Sequence, residues 1–241
     1  VRSRVGYVFG GDRGLYERLS GLDNLRYFAQ LYGVPAHEQM ARIGELLEMV
    51  GLCGRERERV EGYSRGMRQR LHIARGLLHR PEVLFLDEPS IGIDPVGARE
   101  LRDTVAALAS TGTTVLLTTH YMFEADSLCD RIAVIAGGQI VAHGTPAELK
   151  GRVADGNVVE VEVFGSAEGS LDAVRALTGV SSALVEERGQ AQVLVVRSGP
   201  GIDVTAPVLG CLSGIPLGRV AMREPTLEDA YVELVGAQDV T

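Results

Sequence analysis

At 241 residues and 45% hydrophobic composition, the chain is long enough for one large or two small domains with buried cores. No apolar run approaches the ~20 residues that span a bilayer and no signal-peptide pattern opens the sequence, so a membrane-spanning reading is set aside and a cytosolic setting is expected. A formal net charge of −8 argues against a general nucleic-acid binder, and Cys53, Cys129 and Cys211 lack metal-ligand spacing and are expected as reduced thiols.

In chain order, Ser20 is placed to cap a helix over about Leu22–Tyr32, with Leu22, Leu25, Phe28, Ala29 and Tyr32 at helical spacing. Pro35 opens a second helix through Ile43, Leu46, Leu47 and Val50, stopped by Gly51. The sign-alternating run Arg55-Glu56-Arg57-Glu58-Arg59 reads as a solvated loop or helix face. Tyr63-Ser64-Arg65-Gly66-Met67-Arg68-Gln69-Arg70 then leads into a helical pattern at Leu71, Ile73, Ala74, Leu77 and Leu78. Ser64 has N-cap chemistry and Gly66 permits close backbone approach, a combination that suits an anion at a helix N-terminus; an ordinary capped surface helix has the same signature.

Val83 to Leu86 reads as a buried strand delivering two adjacent carboxylates, Asp87 and Glu88, at its C-terminal end. In an open parallel sheet that end is where ligands bind. One carboxylate can hold Mg²⁺, usually through water, and the next can polarise a water attacking a γ-phosphate. Asp-Glu-Pro after an apolar run is also compatible with a plain helix start. Thr113 to Thr119 is a second β-branched strand, ending at His120. Met122 to Cys129 reads as a short helix, and Ile132–Ala136 and Ile140–His143 as a hairpin through Gly137-Gly138. Gly144-Thr145-Pro146 leads to a short helix ending near Lys150. His37, His72, His79 and His143 are expected to be structural.

Residues 1–150 carry 18 basic and 19 acidic groups and residues 151–241 carry 6 and 13, which hints at a boundary near Lys150. Beyond it, strands at Val158–Phe164, Ala183–Glu187, Ala191–Val196 and Gly218–Met222 alternate with helices at Leu171–Leu177 and about Val204–Leu212. This β-α-β-β-α-β order is compatible with a small ferredoxin-like domain. A final helix starts near Pro225-Thr226. A regulatory or dimer-supporting role and a plain packing appendage are both open for this part.

The order and spacing of Ser64–Met67, Val83–Glu88 and His120 resemble the ATP-binding subunit of ABC transporters, and the closing segment from Pro225 resembles bacterial exporter ATPases of the drug-resistance type. Ser64-Arg65-Gly66-Met67 is similar to that family's signature, Leu-Ser-Gly-Gly-Gln. The resemblance implies an α/β fold, a P-loop NTPase-like (RecA-like) core over 1–150 with a helical subdomain at about 20–75, incomplete at its N-terminus, plus a small α+β domain over 151–241. It also implies ATP and Mg²⁺ as ligands, with Asp87 in the metal role, Glu88 as the catalytic carboxylate and His120 as the switch histidine. Ser64, Arg65, Gly66 and Met67 would contact nucleotide across a dimer, and Asp94 falls in the D-loop. The implied partners are an integral membrane permease subunit and a second ATP-binding subunit, at the cytoplasmic face of the membrane, with no nucleic acid. The helical subdomain would dock on the permease, with Tyr16, Tyr27 and Phe28 as aromatic candidates.

Two departures stand out. The phosphate-cradling string G-x-x-x-x-G-K-[ST] is absent, and the one lysine, Lys150, lies far past the other motifs. Arg4-Val5-Gly6-Tyr7-Val8 resembles the family's strand leading to the Q-loop, yet Gly10 stands at the usual glutamine position. The Gly10-Gly11 pair is read either as a source of backbone N–H groups or as a plain turn. The favoured expectation is an exporter ATPase whose phosphate loop lies upstream of position 1. Its alternatives are a partner-dependent, non-hydrolysing subunit and a soluble, non-transport ABC ATPase. The missing phosphate-loop strand is expected beside Val83–Leu86, leaving this chain alone poorly stable and inactive.

Overall fold

The computed structural model of the protein describes residues 4–10, 14–153, 156–189 and 191–236. Packing divides the chain into two compact units, Val1–Glu124 and Ala125–Thr241.

The first unit runs β1 (Val5–Val8), α1 (Gly21–Leu31), α2 (Ala36–Met49), α3 (Arg65–Leu77), β2 (Val83–Asp87), α4 (Pro95–Ser110) and β3 (Thr114–Thr118). The helix starts follow local chemistry. Ser20 Oγ accepts the Asp23 N–H at 3.0 Å to cap α1, and Ser64 Oγ accepts the Met67 N–H at 3.2 Å to cap α3. Asp94 Oδ1 accepts the Val96 and Gly97 N–H groups, with Pro95 in the first helical turn of α4. The sign-alternating run at 55–59 is a turn: Glu56 O accepts the Leu22 N–H and Arg55 O accepts the Tyr63 hydroxyl. Leu25, Ile43, Leu46, Leu71, Ile73, Leu84, Leu86 and Leu101 are fully buried side chains of this unit.

Its three strands form a parallel sheet in the order β1-β2-β3, with Val8 opposite Leu86 and Asp87 opposite Thr118. This corrects one expectation. The strand at Val83–Leu86 lacks no neighbour, because β1 and β3 pair with it on either side. Parallel neighbours are joined by crossovers, here α1–α3 and α4, so strand order depends on non-local packing rather than on the pattern within β2. The strands with an open flank are β1 and β3, each of which pairs on its outer edge with no strand among the described residues.

α5 (Met122–Leu128) leads into the second unit. There β4 (Ile132–Ala136) and β5 (Gln139–Gly144) form an antiparallel hairpin turning at Gly137 and Gly138, both at positive φ as a tight primed turn requires. α6 (Pro146–Val153) follows. β6 (Val158–Val163), α7 (Glu168–Arg175), β7 (Val180–Arg188), β8 (Ala191–Ser198), α8 (Thr205–Cys211) and β9 (Leu217–Arg223) then build an antiparallel sheet in the order β7-β8-β6-β9. That is the ferredoxin-like arrangement that the element order suggested. One sheet face buries Val159, Val161, Val163, Leu194 and Val196 with Val174 of α7 and Val208 of α8. α9 (Leu227–Gly236) packs on α6 and β5 and places Asp229 against Arg197 of β8 and Arg223 of β9.

Candidate functional site

β2 and β3 are parallel and in register, so their C-terminal ends present side chains at the same sheet edge. Asp87 ends β2, and Glu88 follows it with φ of +45°, a left-handed conformation that a non-glycine residue adopts only when its surroundings hold it there. The Glu88 N–H donates to both the carbonyl oxygen and the hydroxyl of Thr118, each at 3.1 Å. The Thr118 hydroxyl in turn donates to Asp87 Oδ1 at 2.6 Å. Two residues beyond Thr118, His120 Nδ1 lies 2.8 Å from Glu88 Oε2. The Glu88 and His120 side chains are 32% and 55% exposed, so a dissolved substrate can reach both.

Gly10 abuts this turn. A Cβ at position 10 would stand 2.7 Å from the Asp87 carbonyl oxygen and 3.1 Å from that of Glu88, closer than a side chain tolerates. Glycine is therefore needed here for close approach of backbone to backbone. The companion Gly11 lies outside the described residues.

Ser64, Arg65, Gly66 and Met67 form a second group at the start of α3. Arg65 donates to the Gly92 carbonyl at 3.2 Å, and a Cβ on Gly66 would meet Gly97 Cα and Ile93 Cγ2 at 3.4 Å. The start of α3 thus packs against the turn that carries Asp94 and opens α4. Among the described residues, no hydrogen bond or ion pair joins this group to Asp87, Glu88 or His120. The structure accordingly brings Gly10, Asp87, Glu88 and His120 together, and separately Ser64–Met67 with the Asp94 turn.

Two contributors go beyond the sequence expectations. Thr118 reads in the sequence only as part of a strand, although a hydroxyl residue in parallel register with the metal-role carboxylate is a recognisable signal. The helix at Pro95–Ser110 is the other, and Asp94-Pro95 signals it with N-cap and first-turn chemistry. Of the structural histidines, His72 is 1% exposed, and burial, followed by the nearby Arg75 charge, lowers it to about 3. His79 Nε2 lies 3.0 Å from the Val5 carbonyl oxygen.

The aromatic candidates cluster. Tyr16 and Tyr27 meet edge to face with centroids 5.0 Å apart, Tyr27 and Phe28 likewise at 5.2 Å, and the Arg75 guanidinium lies 5.0 Å above the Phe28 ring. Tyr16 and Tyr27 are exposed, whereas Phe28 is half-buried.

Chemically, the first group can do two things. Among the described residues, Asp87 Oδ1 is occupied by the Thr118 hydroxyl while no donor meets Oδ2, which leaves one oxygen for a hard cation. Among the described residues no cluster of three or more acidic, His or Cys side chains can cage a metal. The one free oxygen of Asp87 fits Mg²⁺, which takes one or two carboxylates and fills its remaining positions with water and phosphate oxygens. The Glu88–His120 pair can orient a water and accept its proton.

The ABC transporter family profile matches residues 1–91. The chain is 40% identical over 244 residues to the daunorubicin resistance ATP-binding protein of Streptomyces coeruleorubidus, covering 98% of this chain and 73% of that protein. It is 34% identical to the linearmycin resistance ATP-binding protein of Bacillus subtilis, covering 98% and 76%. Among solved structures, cbiO1 of Clostridium perfringens, part of the ABC transporter complex cbiONQ, superposes with a TM-score of 0.58 at 28% identity over 61% of this chain and 59% of that one.

Proposed function

Since the chain belongs to the ABC transporter ATP-binding family, we propose that it hydrolyses ATP to drive an exporter whose transport path is a separate integral membrane protein. The observation that carries the reading is the 2.8 Å Glu88–His120 pair beside Asp87 at the C-terminal end of β2. Glu88 is the general base that takes the proton of the attacking water, and His120 fixes the rotamer of Glu88 and faces the γ-phosphate. Asp87 would hold Mg²⁺, which would supply charge neutralisation on the phosphates. Export rather than import is favoured because the daunorubicin and linearmycin resistance proteins above match nearly the whole chain.

Two ATP-binding subunits sandwich nucleotide, with Ser64–Met67 and the Asp94 turn of one facing the phosphates bound by its partner. Capped by Ser64, the start of α3 offers free N–H groups and the positive end of the helix dipole to an anion. The nucleotide-binding domain spans about 1–150, and Tyr16, Tyr27 and Phe28 dock on the membrane subunit at its cytoplasmic face. Among the described residues no helix is long and apolar enough to cross a membrane, in keeping with a separate permease. A phosphate loop supplied upstream of position 1, on a strand that pairs with the open edge of β3, would complete the site.

The test is ATP turnover by the complex purified from its source membranes, beside turnover by residues 1–241 alone. The complex is expected to hydrolyse ATP, and Glu88→Gln to lower the rate by roughly 100-fold or more, the usual contribution of a positioned general base. The chain alone is expected to be inactive. Turnover that survives Glu88→Gln in the complex would sink the assignment of Glu88.

A further inference from the structure

The hydroxyl of Thr118 touches both members of the acidic pair. It gives its one proton to Asp87 Oδ1 at 2.6 Å and receives the Glu88 N–H at 3.1 Å. A charge-assisted O–H···O⁻ bond of that length belongs to the strong class. It fixes the rotation of the Asp87 carboxylate and so selects Oδ2 as the oxygen left free. The second bond helps hold the Glu88 peptide at φ +45°, the turn that sends the Glu88 side chain toward His120. Parallel register sets this contact, since Asp87 and Thr118 are directly paired on β2 and β3. A valine at 118 would fit the same strand and fill nearly the same volume, yet it has neither donor nor acceptor.

We propose that Thr118 is a positioning residue that aims Asp87 at the metal and Glu88 at the attacking water through one hydroxyl. The proposal rests on the ATPase reading above. It separates the hydroxyl of Thr118 from its methyl group, which any β-branched strand residue supplies.

The test compares Thr118→Val and Thr118→Ser in the complex purified from its source membranes. It reads the affinity for Mn²⁺ in the presence of ATP by electron paramagnetic resonance, and separately kcat and KM for MgATP. Removing a hydrogen-bond partner of a metal-ligating carboxylate weakens metal affinity by about 10–100-fold. Thr118→Val is therefore expected to weaken Mn²⁺ binding at least tenfold and to lower kcat more than it raises KM, while Thr118→Ser stays near the parent in both. Equal Mn²⁺ affinity in Thr118→Val and parent would overturn the proposal and leave the ATPase reading intact. Losses in Thr118→Ser as large as in Thr118→Val would also overturn it, because they would assign the effect to the methyl group. A parent complex with no ATP-dependent Mn²⁺ site would overturn the ATPase reading and this proposal together.

Discussion

His72 shows what a single buried group does to the pH response of the molecule. It is buried on α3, and both ring nitrogens lack a hydrogen-bond partner among the described residues. Burial lowers its pKa to about 3, and the Arg75 charge adds to the shift. The folded state therefore refuses a proton that the unfolded chain accepts at its ordinary value near 6.5. Between pH 6.5 and about 3 the unfolded state binds more protons, so stability falls as pH falls through that window. One group contributes a slope of at most about 1.4 kcal/mol per pH unit. His72→Leu, similar in volume and without the titrating ring, is expected to flatten the slope below pH 6.5. Urea midpoints at pH 7, 6 and 5 check this, and parallel slopes for parent and variant would refute it.

At the scale of elements, α9 is held by a network that the sequence does not advertise. Thr226 and Asp229 form a reciprocal cap: Asp229 Oδ2 accepts the Thr226 N–H at 2.8 Å and Thr226 Oγ1 accepts the Asp229 N–H at 3.3 Å. The same carboxylate accepts from Arg223 at 2.6 Å and from Arg197 at 3.1 Å, with the Arg197 and Asp229 side chains only 6% and 8% exposed. Burial alone would raise the Asp229 pKa, but hydrogen bonds from Arg223, Thr226 and Arg197 outweigh it and hold the carboxylate well below its usual range. Without Asp229, Arg223 keeps Glu160 at 3.0 Å and the buried Arg197 keeps Glu233 at 3.8 Å, so only part of the cost of about 3–5 kcal/mol for breaking a buried pair applies. Asp229→Ala is expected to raise amide exchange across α9 by roughly 10-fold or more, that energy read as an opening equilibrium. Exchange unchanged within a few-fold would show that apolar packing of Leu227 and Ala230 suffices.

This network also marks where reading the sequence reached its limit. Cap and turn chemistry is local, so Ser20, Ser64, Gly51 and the Gly137-Gly138 turn located α1, α3, the end of α2 and the β4–β5 hairpin. Asp94-Pro95 is an equally local signal for α4, whose buried face continues at Leu101, Val105 and Leu108. The pairings of Asp229 with Arg197 and of Asp87 with Thr118 span about thirty residues each. They depend on strand order and register, which no window of the sequence displays. The Glu88–His120 contact was anticipated because both residues end strands of one parallel sheet. The hydroxyl between those strands was not, because threonine in a strand reads first as a β-branched propensity residue.

For the whole molecule, the decisive feature is the open flank of the first unit's sheet. β3 reads Thr-Val-Leu-Leu-Thr, a run suited to a strand covered on both sides, yet its outer edge is unpaired among the described residues and Leu116 is 52% exposed. An apolar parallel edge with free N–H and C=O groups is a template for pairing with another chain. Two consequences of opposite sign follow for one substitution. In residues 1–241 alone, Leu116→Lys places a charge on a bare edge and is expected to suppress self-association, as gatekeeper charges do. In a polypeptide that carries the proposed phosphate-loop strand, β3 becomes an inner strand, where lysine replaces a branched apolar side chain packed between neighbours on both sides, and the same substitution is expected to lower the melting temperature and the yield of the complex. Sedimentation velocity on the isolated chain and thermal unfolding of the purified complex read the two arms. If the complex tolerates Leu116→Lys as readily as the isolated chain benefits from it, no strand pairs beyond β3, and the site would have to receive its phosphate-binding groups from elsewhere.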